Sequence, residues 1–474
     1  MAVISADATY DVVVIGAGPV GENVADRVVK GGLTAVIVES ELVGGECSYW
    51  ACMPSKALLR SSAAVRAARQ VEGAREAVTG TVDVARVLAR RDSFTSNWQD
   101  DGQVAWLTGA GIDLVRGHGR ITAPRVVTVT GEDRSITLTA RHAVAVTTGS
   151  AAMLPDIPGL IEANPWASRE VTSAQHIPAR LAIIGGGVVA TEMATAYAGL
   201  GCSVTVIARH GLLGAAEPFA GELVGAALSS AGVSIHLHSS VASVARDASS
   251  TVHLTLTDGT TVEADEVLVA TGRTPRTEDL GLENVGLKPG AWLTVDDTMK
   301  VTDWLYAAGD VNGRVLLTHQ GKYQARAAGD VIVARARQQS VQDEPWGTHV
   351  ATADHRAVPQ VVFTDPEVAS VGLTAAAAEE AGIRTRVVDY DLGAVAGASL
   401  YADGYQGKAR MVVDEDRQVA VGFTLVGPDV AELLHAATVA VVGEVPLSRL
   451  WHAVPSYPTV SEIWLRLLEG YGRP

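Results

Sequence analysis

Two of the chain's three cysteines, Cys47 and Cys52, lie in the stretch from 44 to 56, which reads GGECSYWACMPSK. Four residues separate them, a spacing that can close a small disulfide at the start of a helix. A chain with so few cysteines is not a disulfide scaffold, and a lone pair is more typical of a catalytic or metal-binding site. The spacing therefore predicts a redox pair to which the rest of the chain brings electrons.

A zinc site is the alternative interpretation of this pair. Structural zinc takes four ligands, so two more would be needed close by, and the neighbouring sequence offers no further cysteine or histidine. We therefore expect no metal. The third cysteine, Cys202, stands in a short turn before a strand with no partner cysteine, and it is expected to be a packed, inert thiol.

Length, charge and hydropathy bound the class of protein. The 474 residues are enough for about three domains. A net charge of −16 argues against nucleic acid or an anionic membrane surface as a partner, since both need a basic patch. The N-terminus has no basic region typical of a signal peptide, and no apolar window approaches a membrane span. We expect a cytoplasmic protein without a membrane segment.

The N-terminal region predicts a dinucleotide-binding unit. Its parts are a strand at 10–15, the glycines Gly16, Gly18 and Gly21 at GxGxxG spacing, a helix through Val29, a strand at 34–38, and then Glu39. The glycines permit a tight turn and a close approach to a pyrophosphate, the helix N-terminus attracts phosphate, and the acid can bind a ribose. The combination of all these parts is a specific signal.

A second unit of the same kind follows. Its parts are a strand at 181–184, Gly185, Gly187 and Ala190 at GxGxxA spacing, a helix through Leu200, and a strand at 203–208. No acid ends this second strand, and Ala208 is followed by Arg209 and His210. An arginine can pair with a 2′-phosphate, which favours NADPH and leaves NADH possible. The alternative is that Arg209 is a solvated loop residue.

Further motifs occur in a fixed order: TTGS at 147–150, VATGRTP at 269–275, AAGDV at 307–311, LTHQG at 317–321 and VFTDPEVASVGL at 362–373. With the two glycine turns and the cysteine stretch, they resemble the class I flavoprotein pyridine nucleotide-disulfide oxidoreductases. That family includes dihydrolipoamide dehydrogenase, glutathione reductase and mercuric reductase. The resemblance covers nearly the whole chain.

The resemblance implies an α/β fold with two doubly wound Rossmann-like domains, for FAD and NAD(P), and a C-terminal α+β dimerisation domain. The implied limits are an FAD domain at 1–157 and 273–337, an NAD(P) domain at 158–272, a linker at 338–356 and an interface domain at 357–474. A homodimer is also implied, because the C-terminal segment of one subunit must reach the disulfide of the other.

In this family Cys52 would face the flavin, and Cys47 would be the exposed thiol that attacks the substrate. Lys56 would lie near the flavin and pair with Glu192, and its charge would stabilise a reduced flavin. The alternative is an exposed helix lysine and a surface acid. The residues expected to contact the two cofactors are Gly16, Gly18, Gly21, Glu39, Gly45, Lys56, Gly119, Thr148, Gly149, Gly185, Gly187, Ala190, Arg209, Gly272, Asp310, Thr318 and His319.

The C-terminal motif departs from the pattern of members that reduce disulfides. They carry His-Pro-Thr-x-x-Glu, whereas this chain reads SYPTVSE, with Tyr457 in place of the histidine and Glu462 retained. A phenol titrates far above neutral pH, so Tyr457 is a poor general base. His452 lies five residues upstream, at the wrong spacing. Mercuric reductase also lacks the histidine, but it has a C-terminal cysteine pair that is missing here.

Three functions follow from the sequence. The first is an FAD-dependent enzyme that passes electrons from NADPH through the Cys47–Cys52 pair to a disulfide or a quinone-like acceptor. The second is a reductase of metal or metalloid ions that the two cysteines bind first. The third, of a different class, is a non-catalytic flavoprotein subunit, against which the complete set of Lys56, Glu192 and both cysteines argues.

Overall fold

The computed structural model describes residues 7–132 and 134–473. They form two compact units, one of residues 7–54, 92–153 and 272–354, and the other of residues 55–91, 154–271 and 355–473. Each unit has its own hydrophobic cores. The finer domain limits expected from the sequence stay a prediction.

The described part of the first unit is built on a seven-stranded sheet. Its edge-to-edge path is Asp113–Arg116, Ala35–Glu39, Asp7–Ile15, Ser135–Val146, Val126–Thr130 and His118–Ala123, with Leu305–Ala307 also pairing with Ser135–Val146. Val13 lies at its centre, opposite Val36 on one side and Val144 on the other, in parallel pairs. All three are buried, because a parallel sheet covered on both faces favours continuous apolar runs.

Helices cover this sheet, and a short ribbon adjoins them. The helices are Pro19–Lys30, Gly45–Tyr49, Asp101–Gly109 and Thr318–Ala336, and the ribbon pairs Ser150–Ala152 with Arg273–Pro275. The first and last of these helices pack closely, because glycines remove side chains between them. A β-carbon on Gly321 would lie 2.6 Å from a methyl carbon of Val20, and one on Gly329 would lie 2.5 Å from Cβ of Arg27.

The second unit holds another parallel sheet, in the order Ser234–Leu237, Ser203–Ala208, Arg180–Ile184 and Glu266–Val269. An antiparallel meander of Val241–Arg246, Val252–Leu256 and Thr261–Ala264 packs beside it. The C-terminal part adds an antiparallel sheet in the order Pro359–Val362, Glu367–Gly372, Val419–Gly427, Lys408–Asp414 and Thr385–Asp391.

Three of the helices assigned to the second unit cross its limits in sequence: Cys52–Arg69 and Ala353–Arg356 begin in the first unit, and Val84–Phe94 ends in it. The helices of the second unit are Cys52–Arg69, Val84–Phe94, Ser168–Ser173, Val188–Gly199, Pro218–Ser230, Ala353–Arg356, Ala375–Glu380, Ala396–Tyr401, Leu434–Val442, Leu447–Leu450 and Ile463–Tyr471. The helix Val188–Gly199 is buried along most of its length and packs in one core with Val362, Val368 and Val426 of the C-terminal sheet. No helix among the described residues is long and apolar enough to cross a membrane.

Candidate active site

The first glycine turn leaves its backbone open at a helix N-terminus. Gly16 has a φ of +103°, and a β-carbon there would lie 2.6 Å from the carbonyl oxygen of Thr147. A β-carbon on Gly21 would lie 1.9 Å from the carbonyl oxygen of Gly16, so helix and strand meet here. Around Gly18, in contrast, no described atom lies within 4 Å of that position. This free surface, at the start of the helix Pro19–Lys30, fits a pyrophosphate.

The cysteine stretch begins against this turn. The N–H of Gly44 donates to the carbonyl oxygen of Ala17 at 2.8 Å. Gly45 has a φ of +55°, and a β-carbon on it would lie 2.8 Å from Cα of Gly18. Gly45 thus opens the helix Gly45–Tyr49, which carries Cys47, directly beside the phosphate turn. A side chain at position 45 would push the two apart.

The two cysteines are brought together as reduced thiols. Cys47 and Cys52 hydrogen bond to each other, and Sγ of Cys52 lies 3.3 Å from Oγ1 of Thr318, the first residue of the helix Thr318–Ala336. The hydrogen bond to Cys52, followed by burial, raises the pKa of the Cys47 thiol, whereas Thr318 and Lys322 act to lower it. The hydrogen bond and burial therefore favour the protonated form of Cys47.

Other expected flavin contacts surround the turn. Glu39 accepts the N–H groups of Ala17 at 2.7 Å and Glu41 at 2.8 Å, and burial raises the pKa of its carboxyl. Asp310 accepts the hydroxyl of Ser150 at 2.6 Å. These acids lie in the first unit with the glycine turn, where a bound dinucleotide has hydrogen-bond acceptors available.

The remaining expected flavin residues differ in their surroundings. Thr148 donates its hydroxyl to the carbonyl oxygen of Arg276 at 2.8 Å, and Gly149 has a φ of +73°. Gly119 lies within the sheet, where a β-carbon would meet Val38 at 3.0 Å. His319 is exposed. Strand packing accounts for a glycine at position 119, and its contact with the cofactor stays a prediction.

The second glycine turn repeats the geometry of the first. Gly185 has a φ of +135°, and a β-carbon on it would lie 2.2 Å from the carbonyl oxygen of Ala270. Gly187 precedes the helix Val188–Gly199, and no described atom lies within 4 Å of its β-carbon position, whereas Ala190 is fully buried. Arg209 is exposed directly after the strand Ser203–Ala208. The turn fits a second dinucleotide.

Gly272 belongs to the first unit, whereas Gly185, Gly187, Ala190 and Arg209 belong to the second. Its φ is +151°, and a β-carbon on it would lie 3.1 Å from Cε of Met153.

Lys56 and Glu192 form an ion pair in the second unit. Nζ of Lys56 donates to Oε2 of Glu192 at 2.8 Å, and Oε1 of Glu192 accepts the N–H of Phe363 at 3.0 Å. The Lys56 ammonium also lies 4.7 Å from the centre of the Phe363 ring. The side chain of Glu192 is only 4% exposed and that of Lys56 is 35% exposed. The carboxylate is thus buried with both oxygens bound, and Lys56 lies in the helix that Cys52 begins.

The C-terminal motif is split between surface and interior. Tyr457 is 75% exposed, and His452 is exposed as well. Glu462 is buried, and its Oε1 accepts a hydrogen bond from the guanidinium of Arg466 one helical turn later. The other oxygen of Glu462 is buried without a hydrogen-bond partner among the described residues. In this chain Arg466 therefore binds the glutamate that is paired with a histidine in the His-Pro-Thr-x-x-Glu motif.

Sequence reasoning missed several residues around these sites. The N–H of Phe363 donates to Glu192. Arg466 donates to Glu462. Arg276 donates to Glu46, beside Cys47, at 2.9 Å. Lys322 acts on the Cys47 thiol. Of these, Lys322 could have been found, because it follows Thr318 at the four-residue spacing of one helix face.

Cys202 is buried, and burial raises the pKa of its thiol to about 12, as suits an inert side chain. In the part of the chain that the structure describes, no group of three or more His, Cys, Asp or Glu side chains could hold a metal ion.

Comparisons with known proteins match almost the entire chain. A family model described as pyridine nucleotide-disulphide oxidoreductase matches residues 10–329, and the dimerisation domain of that family matches residues 358–467. The dihydrolipoyl dehydrogenase of Synechocystis sp. is 31% identical over 500 residues, which cover 99% of this chain and 100% of the relative. The mercuric reductase of Shigella flexneri is 32% identical over 462 residues, which cover 95% of this chain and 79% of the relative.

A solved structure shares the fold. LpdA from Mycobacterium tuberculosis superposes with a TM-score of 0.81 at 24% identity, covering 98% of this chain and 100% of that chain.

Proposed function

Because the chain belongs to the pyridine nucleotide-disulphide oxidoreductase family, whose members bind FAD and take electrons from NAD(P)H, we propose that it passes electrons from NADPH through FAD to the Cys47–Cys52 pair. From there they go to a disulfide or a quinone-like acceptor. The observation that carries this proposal is the hydrogen-bonded thiol pair, which begins against the glycine turn and touches Thr318.

Several expectations from the sequence are confirmed. They are the family, the enzyme class, the use of FAD with NAD(P)H, and the α/β fold with two Rossmann-like domains and a C-terminal dimerisation domain. Membership of this class of enzymes speaks against the non-catalytic flavoprotein subunit. The acceptor, the choice between NADPH and NADH, and the roles of single residues belong to the proposal.

The chemistry divides between the cofactor and the chain. FAD, when bound, accepts a hydride from a nicotinamide and makes its two electrons available to a disulfide. Two electrons break the bond between Cys47 and Cys52, and with the one proton that a hydride carries the pair becomes a thiol and a thiolate. Cys52, beside Thr318, is the sulfur assigned to the flavin, and Cys47 is the one assigned to the acceptor. The thiolate of Cys47 is the attacking form.

The C-terminal segment favours an unusual acceptor. Turnover of ordinary disulfides needs a base that moves a proton to and from the attacking thiol. Tyr457 supplies no such base, and Arg466 already binds Glu462. A quinone-like acceptor, or a disulfide whose leaving thiol is already acidic, does not depend on this proton transfer.

An acceptor panel tests the function. FAD-loaded enzyme is given NADPH or NADH with lipoamide, glutathione disulfide, an aromatic disulfide, a quinone and mercuric ion in turn. We expect the aromatic disulfide or the quinone to be reduced fastest, with NADPH as the better donor. Fast reduction of lipoamide or glutathione disulfide would contradict the proposed acceptor class. Failure to oxidise either nucleotide with any acceptor would contradict the function as a whole.

A metal or metalloid ion reductase is the second candidate. Two adjacent thiols can hold a thiophilic ion as a pair of thiolates, and a relative named mercuric reductase is 32% identical. NADPH-dependent reduction of mercuric ion that is lost in Cys47→Ser would support this candidate. If neither mercuric nor other thiophilic ions are turned over, it is wrong.

A homodimer is part of the proposal. The chain carries the family's dimerisation domain, on which the apolar side chains of Leu400, Val439 and Val454 are exposed. A second copy of the chain would bury this surface. A monomer at micromolar concentration in analytical ultracentrifugation would contradict it.

Arg209→Glu should reverse the nucleotide preference. If Arg209 pairs with the 2′-phosphate, its loss lowers kcat/KM for NADPH by roughly tenfold or more and leaves NADH largely unaffected. Steady-state kinetics with both nucleotides measure the ratio. Arg125→Glu, the same charge change at another exposed arginine, is the control. An unchanged ratio would mean that Arg209 is a solvated loop residue.

Tyr457→His should by itself leave lipoamide reduction within about twofold of the wild type, since a histidine there lacks a free carboxylate to orient it. Glu462 is bound by Arg466. The double change of Tyr457→His with Arg466→Leu frees Glu462, and we expect a rise of about tenfold or more, with a pH profile that follows an imidazole. Arg466→Leu alone is the control. A large gain from Tyr457→His alone would show that Arg466 does not withhold the carboxylate.

A further inference from the structure

Two charged residues flank the close crossing of the helices Pro19–Lys30 and Thr318–Ala336. At this crossing a β-carbon on Gly321 would lie 2.6 Å from Cγ2 of Val20, so the two backbones approach closely. Lys322 directly follows Gly321, and Glu22 lies two residues after Val20. The proposed electron path uses neither side chain.

Lys322 lies on the same helix face as Thr318, whose hydroxyl contacts Cys52. It follows Thr318 by four residues, and residues at this spacing lie one above the other on a helix. Oγ1 of Thr318 is 3.3 Å from Sγ of Cys52. The positive charge of Lys322 opposes the effect of burial on the Cys47 thiol and lowers its pKa. The lysine is therefore a source of positive charge for this thiol from outside the cysteine stretch.

Glu22 lies on the other helix of the crossing, Pro19–Lys30, and the charge of Lys322 acts on it. Its Oε1 is buried and accepts no hydrogen bond from the described residues. Burial raises the pKa of its carboxyl to about 7, Lys322 acts to lower that pKa, and Glu39 acts to raise it further. Glu22 therefore changes its charge near neutral pH. When Glu22 is ionised, its negative charge offsets part of the positive charge of Lys322, which then stabilises the thiolate less.

We propose that Lys322 is a positioning residue for the reaction, which stabilises the Cys47 thiolate by its charge, and that ionisation of Glu22 weakens this stabilisation. The inference rests on the proposed function, in which Cys47 is the attacking sulfur. It supplies an electrostatic substitute for the cationic imidazole that Tyr457 cannot provide. The substitute comes from the same chain and the same unit as the thiols.

Other titratable and charged groups lie near the two thiols or act on Glu22, and they stay unchanged in the test. Cys52 hydrogen bonds to Cys47. Glu46 is bound by Arg276, and the carboxylate of Glu39 is bound by backbone N–H groups. Tyr49 has a pKa that burial raises to about 12, so it stays neutral. Exposed His319 directly follows Thr318, and complete pH profiles are compared for this reason.

Alkylation of the reduced holoenzyme tests the inference. The FAD-loaded enzyme is reduced with NADPH, and the rate at which iodoacetamide modifies Cys47 is measured from pH 5 to 10 by peptide mass spectrometry. Lys322→Met should slow alkylation at pH 7 by about tenfold and move the profile to higher pH, because the thiolate loses a nearby positive charge. Lys322→Arg should restore the rate. Glu22→Gln should move the profile the opposite way.

Controls separate this inference from the proposed function. Lys300→Met changes a lysine of the same unit that pairs with Asp303, and it should leave the profile unchanged. The same profile in Lys322→Met and the wild type would overturn the inference, as would a failure of Lys322→Arg to restore the rate. If Cys47 resists alkylation at every pH although NADPH reduces the flavin, the proposed function fails instead.

Discussion

Cys52→Ser should lower NADPH-dependent reduction of every acceptor that draws its electrons from the thiol pair by roughly a thousandfold or more. A serine oxygen cannot form or break a disulfide with Cys47, so the two-electron carrier is lost. The replacement is nearly isosteric, and the hydroxyl can still hydrogen bond to Thr318, which lies 3.3 Å from the sulfur. We therefore expect FAD to bind and NADPH to reduce it at close to the normal rate.

The loss has a spectroscopic signature. In the wild type, addition of one equivalent of NADPH should produce a long-wavelength charge-transfer band from a thiolate against oxidised flavin, and this band should be missing from Cys52→Ser. Cys47→Ser should show the band before any NADPH is added, because the sulfur assigned to the flavin is then already a free thiol that no disulfide can bind. Cys202→Ser is the control, since that buried thiol pairs with neither cysteine. If Cys52→Ser gives the wild-type spectrum and rates, the redox role of the pair is wrong.

The glycine turns were predictable because their rule is local. A strand must turn sharply into a helix, and only a residue without a β-carbon fits at these turns. A β-carbon on Gly16 or Gly185 would lie 2.6 Å or 2.2 Å from a backbone carbonyl oxygen. The same logic placed the open glycines Gly18 and Gly187 at helix N-termini. Spacing alone carries this information, so the amino-acid sequence is sufficient to locate both dinucleotide-binding units.

The aromatic residues of the cysteine stretch show that neighbouring residues in sequence do not determine what a side chain contacts in the fold. The positions of Tyr49 and Trp50 between the two cysteines do not decide whether they shape the acceptor site or pack against a neighbouring helix. The structure buries Tyr49, whose hydroxyl donates to the carbonyl oxygen of Val43 at 3.0 Å. Its own carbonyl oxygen accepts the indole N–H of Trp98 at 3.2 Å. Tyr49 therefore holds the loop in place and does not line a site.

The partners of the buried acids could not be predicted, because one partner is distant in sequence and the other is not the residue that the motif pairs with the acid. The N–H of Phe363 binds Glu192 across 171 positions of sequence, and nothing in either local pattern signals that contact. Arg466 binds Glu462 at helix spacing, yet the motif gave that acid a different partner. Tertiary packing decides which group reaches a buried carboxylate, and a motif identifies only the carboxylate.

Lys56→Met should destabilise the protein more than Glu192→Gln, although both remove the same ion pair. After Lys56→Met, the carboxylate of Glu192, whose side chain is 4% exposed, keeps only the N–H of Phe363 as a partner. An uncompensated buried charge of this kind costs about 2 kcal/mol or more. Glu192→Gln instead leaves a lysine that is 35% exposed and lies over the Phe363 ring, which should cost about 1 kcal/mol.

The double variant makes the cause measurable. If the penalty in Lys56→Met comes from the unpaired carboxylate, then adding Glu192→Gln removes that charge and should recover part of the lost stability. Urea denaturation midpoints, measured at one fixed FAD concentration, give the comparison, because bound cofactor also stabilises the folded state. A double variant less stable than Lys56→Met would show that the pair contributes through packing, since only a charge that has lost its partner is relieved by neutralisation.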